Sequence, residues 1–259
     1  MASVVLTQPA PRVEGIAERL RALGHRPLAL PLSRIVERHD DAVRAAMSDL
    51  SRYDWIVLVS PAAVAAAARL PGVRWPAAGG VAVIGPGSAQ AIVEHGLPVD
   101  PARVLRPPGP HYDAEALIAM APLRAPRGLS VLVLRGEGGS EDWIARLRAG
   151  GADVRTCELY CRQPVEPPAE ALEALAVLLG GTPVPVFVLT QVEAVGRLDA
   201  LLARCGLSAA ARRVPALAIH PRIEAALQRA GWTDVRLIEP GETALASALE
   251  SPRSIEQQP

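Results

Sequence analysis

Eight short apolar runs are spread along the chain, at residues 4–6, 27–32, 55–59, 81–84, 131–134, 186–189, 217–219 and 235–238. Apart from Arg236 in the last, they are continuous, and they are rich in β-branched residues, where a half-exposed strand would alternate apolar with polar. A continuous run of strand length is what a strand covered on both faces requires. Between the runs lie segments with apolar residues at helical spacing, such as 15–23 and 224–230, each with a glycine just past its end (Gly24, Gly231) placed as a stop. Strand–helix alternation of this kind selects parallel sheets joined by crossover helices. The fold class is α/β, with doubly wound parallel sheets.

The chain also repeats itself. "VIGPGSAQAIVEHG" (83–96) aligns without gaps on "AIHPRIEAALQRAG" (218–231), and "VLVSPAAV" (57–64) on "VLTQVEAV" (188–195). "LTQPAPRVEGIAERLRALG" (6–24) aligns on "VLRGEGGSEDWIARLRAGG" (133–151). Three strand–turn–helix units recur in one order with a slowly drifting offset, as small loop insertions would produce. Two homologous halves therefore meet near the Pro/Arg-rich stretch 122–127. Each half holds enough units for a small doubly wound sheet, and such sheets bind ligands beyond the carboxyl ends of their strands. The turns at those ends are Thr7-Gln8-Pro9, Ser60-Pro61, Gly85-Pro86-Gly87-Ser88, Arg135-Gly136-Glu137-Gly138-Gly139, Thr190-Gln191 and His220-Pro221-Arg222.

Composition removes several functions. Lys+Arg and Asp+Glu are equal at 27 each, so the chain lacks the field of a non-specific nucleic-acid binder. Four Trp, three Tyr and one Phe leave little for base stacking. No apolar run reaches the roughly 18 residues of a membrane span, and the N-terminus lacks the basic and apolar regions of a signal peptide. Cys157, Cys161 and Cys205 are sparse and odd in number, which fits a reducing cytoplasm, and no zinc motif surrounds them.

The turns carry the candidate chemistry. Gly85-Pro86-Gly87-Ser88 opens a helix but fails as a dinucleotide fingerprint, because Gln90 stands where the third glycine belongs and Pro86 lacks an amide hydrogen. What remains suits an anion such as a carboxylate, with Ser88 and the helix amides as donors; simple capping by Ser88 is the alternative. Three glycines after Arg135 leave room for a ligand to approach the backbone, and the arginine can grip a carboxylate through two hydrogen bonds, or it can be solvated on a flexible loop. His220 stands where an acid or base could act, with no triad legible beside it. Tyr160, in "CELYCRQP", is a candidate proton donor, or a packing tyrosine. Asp40-Asp41 reads as a helix N-terminus, and the tail "SPRSIEQQP" reads as disordered.

Taken together, "VVLTQPAPRVEGIAERLRALGHRPLALPLSRI", "YDWIVLVSPAAV", "VAVIGPGSAQAIVEHG", "VLVLRGEGGSEDWIARLRAGGADVRTCELYCR", "VFVLTQVEAVGRL" and "ALAIHPRIEAALQRAGW" resemble the uroporphyrinogen-III synthase family, in that family's order. The resemblance implies two flavodoxin-like domains joined by a two-stranded linker, with the chain crossing twice. One domain would comprise 1–33 and 167–259 and the other 40–157, with 34–39 and 158–166 as linker strands and the active site in the cleft between the domains. It implies cyclisation of hydroxymethylbilane, through a spiro intermediate and inversion of the last pyrrole ring, by a cytoplasmic monomer needing no cofactor or metal and meeting no nucleic acid or membrane. Tyr160 would assist departure of the hydroxyl. Thr7, Ser60, Gly85, Pro86, Ser88, Arg135, Gly136, Thr190, Gln191, His220, Pro221 and Arg222 would hold a substrate that carries eight carboxylates. The chain departs from the family's pattern at Gln8, Ser140, Gln191 and Arg222, which leaves a non-catalytic, anion-binding paralogue as the alternative.

Overall fold

A computed structural model describes residues 1–10, 12–76, 79–109 and 112–250; the tail "SPRSIEQQP" lies outside the described residues. The chain forms two compact units, Met1–Arg34 with Gln163 onward, and Ile35–Arg162. It opens in the first unit with β1 (Ser3–Leu6), α1 (Arg12–Ala22) and β2 (Arg26–Ala29). It reaches the second along β3 (Ser33–Glu37) and continues through α2 (Asp41–Met47), β4 (Trp55–Leu58), α3 (Pro61–Arg69), β5 (Gly80–Val83) and α4 (Pro86–Glu94). That unit goes on with β6 (Val104–Leu105), α5 (Ala114–Ile118), β7 (Ser130–Gly136), α6 (Asp142–Ala149) and β8 (Asp153–Pro164). The first unit is then completed by α7 (Ala169–Gly180), β9 (Val186–Leu189), α8 (Val192–Arg204), α9 (Ser208–Ala211), β10 (Ala216–Ala218), α10 (Pro221–Arg229), β11 (Val235–Leu237) and α11 (Glu242–Glu250).

The first sheet runs β11-β10-β9-β1-β2 and the second β3-β8-β7-β4-β5-β6. Every pairing from β2 to β11 in the first sheet, and from β8 to β6 in the second, is parallel. The sequence repeat maps β1 on β7, β9 on β4 and β10 on β5, and under that mapping the parallel part of both sheets has the same strand order. The two units are therefore the same arrangement with the chain entering at different points. At the edge, the Arg34 side chain meets Gln163 and the Arg38 amide donates to the Leu159 carbonyl, pairings that run in opposite senses along β3 and β8.

Continuity of the apolar runs has a direct cause here. In β4, Ile56 and Leu58 enter one core cluster while Val57 enters the cluster on the opposite face. Likewise β9 sends Phe187 and Leu189 to one side and Val186 and Val188 to the other. Each such side chain, fully buried, stabilises by roughly 2 kcal/mol, so neither face can be polar. All eight runs hold strands; β3, β6 and β8 lie outside them, and β6 spans only two residues, too few to carry a pattern.

Helix ends are chemically marked. Asp40, Ser60 and Asp113 cap α2, α3 and α5 by accepting amides of Val43, Ala63 and Ala116. The Val43 amide, more than any other group, holds the Asp40 carboxyl below the usual carboxylate range. Gly24 and Gly231 take φ of 82° and 91°, a left-handed conformation that turns the chain out of α1 and α10. The next residue closes each stop, His25 donating to the Leu20 carbonyl and Trp232 to that of Leu227.

Candidate active site

In a doubly wound sheet the crevice opens where connections leave the two central strands in opposite directions. In the second unit those strands are β4 and β7. Ser60 follows β4, and Gly136 ends β7 beside the last strand, β8, which carries Tyr160. The β7–β8 register slips between Arg135 and Gly136, so that Gly136 lies opposite Tyr160, and the Glu137 amide donates to the Tyr160 carbonyl at 2.7 Å.

That slip lays the phenol ring over Gly136, where a Cβ would stand 2.5 Å from ring carbons. Room expected for a ligand at this glycine is thus filled by a side chain of the protein itself. Tyr160 is only 1 % exposed. Its hydroxyl lies 2.9 Å from Ser60 Oγ and accepts from Arg162 Nη2 at 3.0 Å. The Arg162 guanidinium also sits 5.2 Å from the ring centroid, within cation–π range. Ser60 Oγ meanwhile accepts from the Ala63 amide at 3.1 Å as the cap of α3. Arg162 was not singled out from the sequence, although residues two apart on a strand share a face and its spacing from Tyr160 carried that signal.

Arg135 is 8 % exposed and already committed: Nη1 is 2.6 Å from Glu141 and Nη2 is 3.7 Å from Glu158. Glu158 is in turn bonded by Arg38 at 3.1 Å. The guanidinium therefore organises the end of β7 and is not presented as an open grip for an anion, and neither glutamate nor Arg38 was picked out in advance. Gly138 and Gly139 have φ of 73° and 103°, with open space where a Cβ would stand. The backbone freedom read in this loop lies with them.

The turn after β5 differs from its sequence reading. Gly85 is the N-cap of α4 without a side-chain bond, Pro86 is its first residue, and Ser88 is buried within the first turn. Ser88 thus does not cap its helix. Tyr112, not singled out beforehand, packs beside Gly85, where an added Cβ would be 3.4 Å from its own Cβ.

In the first unit the central strands are β1 and β9. Thr7, buried, donates from Oγ1 to the Val188 carbonyl at 2.8 Å, tying the ends of these strands together. Thr190 and Gln191 follow β9, and Gln191 is the N-cap of α8 without a side-chain bond. His220 caps α10 by accepting the Arg222 amide at Nδ1, 3.1 Å away, and Pro221 and Arg222 are exposed. A ring nitrogen used as an acceptor ties His220 to the helix start. The structure thus gathers Ser60, Gly136, Tyr160 and Arg162 into one contact group in the second unit, while Thr7, Thr190, Gln191 and His220 mark strand ends of the first.

Among the described residues no group of three or more His, Cys, Asp and Glu could hold a metal, and no helix is long and apolar enough to cross a membrane. The cysteines differ in reactivity. Burial pushes the Cys157 thiol up to about 11, whereas Cys205 is exposed. With a disulfide reagent at pH 8, Cys205 is expected to react rapidly and Cys157 to stay protected until the protein is denatured, because the thiolate is the attacking species. Rapid loss of Cys157 in the folded chain would contradict its burial.

The family described as "Uroporphyrinogen-III synthase HemD" matches residues 14–244. The chain belongs to the uroporphyrinogen-III synthase family. Among relatives, the uroporphyrinogen-III synthase of Salmonella typhimurium is 29 % identical over 256 residues, covering 96 % of this chain and 100 % of that one. The Escherichia coli uroporphyrinogen-III synthase is 27 % identical over 260 residues, with the same coverage of 96 % and 100 %. Among solved structures, a mutant uroporphyrinogen III synthase from the extreme thermophile Thermus thermophilus superposes with a TM-score of 0.56 at 21 % identity, covering 96 % of this chain and 97 % of that one. The Helicobacter pylori enzyme gives 0.54 at 14 % identity, covering 96 % and 99 %. At those identities the likeness speaks for the fold alone, and it is the α/β fold of a uroporphyrinogen-III synthase.

Proposed function

We propose that this chain is an active uroporphyrinogen-III synthase, closing hydroxymethylbilane to uroporphyrinogen III with loss of water and inversion of the last pyrrole ring. Family membership over residues 14–244 sets the reaction. The observation that carries it to this chain is the Tyr160 hydroxyl, which is held between Ser60 Oγ and Arg162 at the carboxyl end of the sheet.

The chemistry asks little of any single residue. The pyrrole's own electrons expel the hydroxyl once its oxygen is protonated, and a positioned acid contributes roughly 10²–10⁴-fold to such a step. Tyr160, with Ser60, is the acid available in this group. The larger demand is geometric, because an open chain must be folded so that its ends meet in the spiro arrangement and not by direct closure. Fixing that geometry is worth effective molarities of about 10⁵ M or more. Carboxylates on the substrate suit the strand-end turns, where α3, α4 and α10 each begin with proline and present their N-termini. Thr190, Gln191 and Arg222 supply further donors, and the buried Thr7, Ser88 and Arg135 shape the turns that hold them. We further take the enzyme to act as a cytoplasmic monomer, without cofactor or metal.

The test is direct: purified chain incubated with hydroxymethylbilane is expected to yield isomer III, whereas isomer I alone, the spontaneous product, would remove the proposal.

A further inference from the structure

We propose that Ser60, and not the buried phenol, is the group that hands the proton to the departing hydroxyl, at the end of a relay running Arg162 to Tyr160 to Ser60. The inference rests on the synthase reading above. Tyr160 is 1 % exposed and its ring is closed in against Gly136, whereas Ser60 is only half-buried. A group that meets substrate must be reachable, and of the two hydroxyls that one belongs to Ser60.

Donor and acceptor counting fixes the direction of the relay. Arg162 can only donate, so at 3.0 Å its Nη2–H occupies one lone pair of the phenol oxygen. The phenol proton then has Ser60 Oγ, 2.9 Å away, as its acceptor; turned elsewhere, it would be a buried donor without a partner. Ser60 Oγ accepts this proton and the Ala63 amide, which fills both of its lone pairs. Every hydrogen bond in the set therefore points toward Ser60, and the serine's own hydrogen is the one left to point outward.

The step balances. As the carbon–oxygen bond of the hydroxymethyl group breaks, its electron pair leaves with oxygen, which takes the Ser60 proton and departs as water. The Tyr160 proton moves to Ser60 Oγ, leaving a phenolate facing the Arg162 guanidinium. When ring closure releases the proton of the attacked pyrrole carbon, it returns along the same path. Arg162 is a positioning residue in this scheme: it orients the phenol and faces the charge that forms there.

Four variants test it: Ser60→Ala, Ser60→Asn, Ser60→Thr and the double Ser60→Ala/Tyr160→Phe, with formation of isomer III as the readout. Asparagine caps a helix as well as serine does but has no hydroxyl proton to pass on, so Ser60→Asn separates capping from relay. Ser60→Ala and Ser60→Asn are expected to lower kcat about 100-fold with KM little changed, and Ser60→Thr to restore most of it. The double variant is expected to be no slower than either single one, since residues acting as a unit are not additive. A solvent deuterium effect on kcat should be present in the parent and in Ser60→Thr. Parent-like turnover by Ser60→Asn, or losses that multiply in the double variant, would overturn the relay while leaving the synthase reading intact. A parent chain that forms only isomer I would remove both.

Discussion

Replacing Gly136 by alanine is expected to destabilise the second unit by about 3 kcal/mol, the upper part of the range for overpacking a closed site. A Cβ at this position would stand 2.5 Å from two carbons of a ring that is itself 1 % exposed, so neither partner can move aside cheaply. At a few degrees per kcal/mol, the thermal midpoint should fall by roughly 10 °C. Gly85→Ala provides the contrast. Its Cβ would meet Tyr112 at 3.4 Å, an ordinary contact, and its φ of −149° is one any residue adopts. That variant should melt within a degree or two of the parent. Equal midpoints for both variants, read by calorimetry, would contradict the placement of the Tyr160 ring.

Tyr160→Phe is expected to slow turnover as much as loss of the Ser60 hydroxyl does. The ring stays on Gly136, and only the hydroxyl between Ser60 and Arg162 is lost. Stability should fall by about 1 kcal/mol, the net worth of an ordinary hydrogen bond, because Ser60 keeps its Ala63 partner. kcat should fall about 100-fold, with KM changing little, since the phenol supplies its proton through Ser60 toward the departing hydroxyl and does not meet the carboxylates that hold the substrate. Steady-state kinetics beside a melting curve separates the two effects. An unchanged kcat would remove the phenol from the mechanism.

How much of this was readable from residues alone follows from the kind of signal each feature leaves. A strand buried on both faces leaves a continuous apolar run, so β1, β4, β5, β7, β9 and β10 were legible, as were the glycine stops at 24 and 231. Units whose chain enters at different points leave no local mark. The repeat, with 6–24 echoing 133–151, marks only two halves meeting near 122–127, and it is the resemblance that implies a chain crossing twice between units. The active-site group left less. Ser60 and Tyr160 are 100 residues apart and meet only because β7 lies between β4 and β8. No spacing rule covers that: the residues left Tyr160 open between proton donor and packing side chain, and the resemblance to a family implied the first. Gly136 shows how a correct observation can mislead: a glycine at a strand end does mark close approach, but what approaches is the phenol ring. For Arg135, nothing nearby in sequence announced Glu158 as a partner, since that pairing depends on β7–β8 register. For Ser88 the alternative reading, a helix cap, fails because the helix begins at Pro86, which puts Ser88 inside the first turn.

The measurement that bears most directly on the whole account is the partition of hydroxymethylbilane between isomers by the parent chain and by Tyr160→Phe, run side by side and corrected for spontaneous closure. The account predicts isomer III as the dominant product of the parent, and isomer I rising in the variant as slowed turnover lets the spontaneous reaction compete. If the parent yields isomer I alone, or the variant forms isomer III at the parent's rate, the account is contradicted.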